Sequence, residues 1–196
     1  MVQAHGMAIR CHKYTEERNI MNFFIQANSP RCTMTFDKDD YDLSTALETV
    51  FPLLTEDATL VWNHIYVPLS YKYDISCMID DILKMLHNIR SSSKGEMSIR
   101  WPSNTFASTW CIKWHENAVY LSSEWESVVG QTEKMLNSNK NVTMCSAVFL
   151  SEWKKLLQNI LQALESCGYK KELQWISTLT IEYEAIPDYG VLYRES

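Results

Sequence analysis

The chain predicts a single α+β domain, and three stretches carry that expectation. The first is Thr105–Glu126 (TFASTWCIKWHENAVYLSSEWE), where Phe106, Trp110, Ile112 and Trp114 fall on one face with the small Ser108 among them. After a His115-Glu116-Asn117 connection, Val119, Leu121 and Trp125 resume that face, with Ser123 between them. Alternation of period two marks a half-buried antiparallel pair, dry on one side and wet or docked on the other. The second stretch is 74–90, where Ile75, Met78, Ile79, Ile82, Leu86 and Ile89 recur mainly at spacings of three and four and form one apolar stripe of a helix. The third is 151–167, with Trp153, Leu156, Leu157, Ile160, Leu161 and Leu164 in the same arrangement. The expected architecture is a mainly antiparallel sheet, with the hairpin 105–126 at its centre, packed against these two helices.

The remaining elements follow in chain order. Residues 1–20 are polar and aperiodic and predict a loosely held extension ahead of a domain over 21–196. Asn22–Ala27 (NFFIQA) and Arg31–Phe36 (RCTMTF) read as strands broken at Asn28-Ser29-Pro30, the pattern of a hairpin. Asp37–Asp42 (DKDDYD) is a solvated acidic turn whose carboxylates feed the start of a helix over 43–50, disturbed at Pro52. Thr59–Val67 (TLVWNHIYV), rich in β-branched and aromatic residues, reads as one strand that Pro68 stops or places at an edge. Asp74 is the expected N-cap of the helix over 74–90, and Ser91–Gly95 ends it. Met97–Trp101 makes another strand, Gln131–Asn137 a helical turn and Val142–Ala147 a final strand. Ser151 is expected to cap the helix over 151–167, and Gly168 to terminate it. Over 172–184, the spacing of Leu173, Ile176, Leu179 and Tyr183 favours a helix against the strand propensity of its β-branched residues. Pro187–Gly190 then reads as a turn, after which Val191–Tyr193 packs back onto the body.

Bulk properties narrow the function classes. With 196 residues, 46% hydrophobic and 21% charged, the chain suits one soluble globular domain. No apolar run approaches the roughly 18 residues needed for a membrane-spanning helix. The opening residues lack the apolar core of a signal peptide, so a cytoplasmic location is expected. A net charge of −6 argues against affinity for nucleic-acid backbones and suits attraction to a basic protein. The six cysteines are widely spaced, with no C-x-x-C pair, and read as buried small hydrophobes or idle thiols.

Motifs for chemistry are missing from the sequence. It contains no G-x-S-x-G elbow, no P-loop, no dinucleotide fingerprint and no H-E-x-x-H. His64, His87, His115 and the cysteines show no metal-ligand spacing, so no metal or cofactor is expected. Cys111 with His115 or His64 is the one nucleophile–base pair that suggests itself, but nothing nearby supplies the electropositive setting a reactive thiol needs. Glu124 and Glu126 share a strand face and read as solvated carboxylates rather than a glycosidase pair. Seven tryptophans and ten tyrosines default to core packing. One or two of them at a rim of acids would equally suit an interface anchor.

The order of elements, with W-H-E-N-A-V-Y-L-S-S-E-W-E-S-V-V-G at Trp114–Gly130 and I-P-D-Y-G-V-L-Y-R at Ile186–Arg194, resembles bacterial toxin-immunity proteins. These are small acidic cytoplasmic proteins paired with contact-dependent growth inhibition or other polymorphic toxins. The resemblance implies a role rather than an architecture, because such families use many folds. The implied role is non-catalytic: the protein binds a cognate toxin domain, often a nuclease, and occludes its active site, with carboxylates imitating substrate phosphates. The implied contact residues are Tyr120, Glu124 and Glu126 on the polar hairpin face, with Lys113 and Glu116 beside them. Two other classes compete. A motif-less hydrolase would bring Cys111, His64 or His115 together in a pocket. A structural or adaptor module, self-associating through the hairpin, would present an apolar patch related to itself by symmetry.

Overall fold

Residues 22–188 are described by a computed structural model, in which the alternating stretches form two antiparallel sheets rather than one. β1 (Phe23–Gln26), β2 (Ala58–Trp62) and β3 (Ile65–Leu69) make the smaller sheet, in that order. β4 (Lys94–Trp101), β5 (Phe106–His115), β6 (Ala118–Val128) and β7 (Asn141–Cys145) make the larger, each strand beside its sequence neighbour. Five helices complete an α+β fold: α1 (Leu43–Val50), α2 (Ser76–Ser91), α3 (Glu133–Ser138), α4 (Ser146–Ser166) and α5 (Gln174–Ala185). The predicted class, the hairpin and both long amphipathic helices are all present. The expected extension over 1–20 and the packing of Val191–Tyr193 lie outside the described residues.

Aromatic side chains let the two sheets share one core. The ring of Trp110 on β5 lies 5.1–6.2 Å from those of Phe23, Trp62, Trp101, Phe106 and Trp125. Phe23 carries the contact on to Phe149 and Trp153 of α4, at 5.1 and 6.3 Å. Rings of this size bury large areas, and their tilted and edge-to-face geometries are the favoured ones. All tryptophans but the partly buried Trp175 are buried, so core packing accounts for them. On α2, the stripe from Met78 to Ile89 is buried as its spacing predicts.

Four local expectations give way. Thr59–Val67 is a hairpin, not a strand: Asn63 (φ 46°) and His64 (φ 67°) both take positive φ, as a two-residue turn of type I′ requires. Arg31–Phe36 is not a strand, because β1 pairs with β2 instead (Phe23↔Trp62, Ile25↔Leu60). That segment runs along α1, where the Thr33 N–H donates to Val50 C=O at 2.8 Å. Asp74 is not a helix cap but sits, buried, in a wide turn over 71–75. Its carboxylate accepts from the Ser70 N–H at 2.7 Å and from the hydroxyls of Ser103 and Thr105, clamping the end of β3 to the β4–β5 loop. Ser151 lies inside α4, which begins at Ser146, and its hydroxyl donates to Val148 C=O at 2.8 Å. Other local readings hold. Asp42 caps α1 through a reciprocal box with Thr45, Gly168 takes φ 93° just past α4, and the C-terminal segment is helical.

Candidate functional site

Alternation puts every second side chain of β4–β7 on the sheet face opposite the aromatic core. Among the described residues no helix packs over that outer face, and Glu96, Ser98, Arg100, Cys111, Lys113, Tyr120 and Glu124 are exposed on it. Cross-strand register arranges them in rows. One row runs Glu96–Lys113–Tyr120–Thr143, the next Ser98–Cys111–Ser122–Asn141, and the next Arg100–Thr109–Glu124. Glu126 lies past an irregularity in the β5–β6 pairing at Ala107/Ser108. Glu116 occupies the hairpin turn at φ 57°, anchored by its N–H donating to Ser93 C=O at 2.7 Å.

Lys113, Tyr120, Glu124 and Glu126 thus share the outer face, with Glu116 at its turn end, but they do not converge on a point. At about 3.3 Å per residue, Glu116 and Glu126 stand roughly 30 Å apart along the strand. Lys113 and Tyr120 are direct cross-strand neighbours on the two inner strands of the sheet, near the turn end of the face. Their charge environment includes partners from β4 that reasoning on the hairpin alone missed. Lys113 Nζ lies 3.4 Å from Glu96 Oε2, and the Arg100 fork grips both oxygens of Glu126 at 2.7 and 2.8 Å. The alternation of β4 was the signal that could have found Glu96 and Arg100. The face is therefore mixed in sign rather than an acidic rim. Glu116 and Glu124 lie roughly 26 Å apart along the strand, too far to imitate a single phosphate, and Glu126, nearer Glu124, is held by Arg100.

The acidic character gathers elsewhere. Burial first, and then the carboxylates of Asp42 and Asp81, raise the Asp80 carboxyl above its ordinary range. This like-charge cluster joins the start of α2 to the 37–42 loop. Below the larger sheet, the Val128 N–H donates to Glu133 and holds its carboxyl below the usual value, tying α3 to the end of β6.

The alternative chemistries find their residues apart. Cys111 and His115 share a strand face about 13 Å from each other, beyond hydrogen-bond reach. His64 sits in the β2–β3 turn, lining an open polar pocket of about 420 Å³ with Asn63 and residues 137–141. A cleft of about 240 Å³ between α4 and α5 is lined by Leu161, Tyr169, Ile176 and Tyr183 with polar neighbours. Among the described residues there is no cluster of three His, Cys, Asp or Glu side chains fit for a metal, and no helix long and apolar enough to cross a membrane.

Fold and face together define an α+β protein with an open, charged sheet surface. Compared with protein-family models, with curated proteins and with solved structures, the chain matches none.

Proposed function

We propose that this protein is a non-catalytic, immunity-type binder that neutralises a basic toxin domain by covering it with the outer face of the larger sheet. One observation carries the reading: the side chains expected at the contact share an uncovered face, with Tyr120, 43% exposed, beside Lys113 on its two inner strands. Tyrosine is among the residue types that most often dominate the binding energy of a contact. The surrounding ion pairs suit re-pairing, since exposed pairs contribute only about 0–1 kcal/mol and exchange partners at little cost. Glu96 becomes available to a toxin's lysines and arginines in this way, while the two-point grip of Arg100 holds Glu126. The Asp42–Asp80–Asp81 cluster adds a negative field that steers a basic partner and raises the association rate. Inhibition by steric cover fits the spread of the face better than phosphate mimicry by a carboxylate pair. A cytoplasmic location belongs to the same reading.

Titration of the purified toxin domain encoded beside this chain tests the proposal. The expected result is a one-to-one complex whose association slows with salt and whose Kd rises at least about tenfold on Tyr120→Ala, the loss of a modest hot spot. Undiminished binding by the double variant Tyr120→Ala/Glu124→Lys, or no binding at low salt, contradicts it.

A further inference from the structure

A sheet edge presents unpaired backbone N–H and C=O groups, and folded chains normally blunt it. On β1 the Ile25 N–H donates to Glu152 of α4 at 3.1 Å. On β3 Pro68 has no N–H to offer. β7 is short and runs straight into α4 at Ser146. The remaining edge, β4, is eight residues long and among the described residues pairs with β5 alone. The Glu116 N–H donates to Ser93 C=O one step beyond the pair Lys94↔His115, so the odd-numbered residues of β4 turn their backbone groups to β5. Lys94, Glu96, Ser98 and Arg100 turn theirs outward, and all four residues are exposed.

We propose that β4 is a self-association edge, pairing antiparallel with β4 of a second copy about a twofold axis at Ser98. In that register Glu96 lies opposite Arg100 of the second copy, Arg100 opposite its Glu96, and Ser98 faces Ser98 on the axis. Backbone parity admits only registers that set outward-turned residues opposite one another. An axis at Met97 would oppose Lys94 to Arg100, two like charges, and an axis at Ile99 would oppose Glu96 to Pro102, which lacks an N–H. Charges on an edge usually discourage pairing, whereas these complement themselves, as an isologous contact requires. Lys113 lies 3.4 Å from Glu96, and Arg100 grips Glu126. A row of alternating sign, Lys113–Glu96–Arg100–Glu126, therefore crosses the junction on each side of the axis. On the inner face the half-buried Met97 comes opposite Ile99 of the second copy. The two larger sheets become one, with both outer faces on the same side.

Sedimentation equilibrium of the full-length protein tests this with no toxin present, so its outcome is independent of the immunity reading. A strand edge is small beside the roughly 1,200–2,000 Å² of a standard stable interface, so a dimer with a Kd of about micromolar order is expected. Ser98→Pro removes the outward N–H at the axis, a place where an edge strand tolerates proline, and is expected to give a folded monomer. Glu96→Arg and Arg100→Glu should each weaken self-association at least about tenfold, because like charges then face each other on both sides of the axis. An equimolar mixture of those two variants should restore dimers, since each supplies the charge the other lacks. The charge variants, at exposed positions, decide the register even where proline at Ser98 lowers stability. A monomer throughout the micromolar range gives the edge to another strand or to none and overturns the proposal. So does a dimer that survives Ser98→Pro, or a mixture of folded charge variants that associates no better than either alone.

Discussion

Gly95 on β4 faces Trp114 on β5, and a β-carbon added there would lie 2.2 Å from Cζ2 of the indole. The ring is fixed by its own N–H, which donates to Ser92 C=O at 3.1 Å and to the Ser92 hydroxyl at 3.0 Å. Gly95→Ala should therefore cost about 1–3 kcal/mol, the scale of overpacking, seen as a lower urea midpoint. An unchanged midpoint would mean that the ring moves aside freely. Tyr71 makes a second prediction at this scale. Its buried hydroxyl donates to Ala27 C=O at 2.6 Å and accepts from Asn159 Nδ2 at 3.0 Å, and burial pushes its pKa up to about 12 from an ordinary 10.0. The folded chain thus keeps a proton that the unfolded chain releases. The stabilisation is intact below pH 10 and is lost as pH rises to about 12, a change on the order of 2–3 kcal/mol. The stability gap between the parent chain and Tyr71→Phe should shrink across that window in urea unfolding. A gap that ignores pH contradicts this account.

Between elements, one buried carboxylate joins α2 to α5. Glu182 receives Arg90 Nη2 at 3.0 Å on both oxygens, with His87 Nδ1 2.9 Å away. Removing the carboxylate leaves Arg90 uncompensated, so Glu182→Ala should cost about 3 kcal/mol, and Arg90→Met with Glu182→Leu should recover most of it. A double variant no more stable in thermal melts than Glu182→Ala rules out this role. Legibility in the sequence divides at the same scale. The hairpin and the two long helices were readable because their periodicity is local to each stretch. The Asn63-His64 turn was hidden, since neither residue is the glycine that advertises a positive φ. Arg31–Phe36 has strand propensity, yet the partner it needed was taken by β2, and pairing between distant strands leaves no local trace. The polar hairpin face was likewise legible. Its ion pairs were not, because Glu96 and Arg100 come from a third strand.

For the whole molecule, the two faces of the larger sheet divide the work. The inner face puts its aromatic residues into the shared core, which anchors the sheet that carries the outer face. The outer face carries Tyr120, Lys113 and exchangeable ion pairs, while the acidic cluster at α1 and α2 supplies the long-range field. Substitutions on the outer face should leave stability within about 0.5 kcal/mol, as is usual at exposed positions, yet weaken recognition of the proposed partner. The most direct measurement is survival of cells that express the product of the adjoining gene, the proposed toxin, together with this chain or its variants. The parent chain and Leu54→Ser, an exposed change outside the sheet, should protect. Tyr120→Ala/Glu124→Lys, folded and equally abundant, should not. Equal protection by that double variant would contradict the assignment of the outer face, and no protection by the parent chain would contradict the immunity role itself.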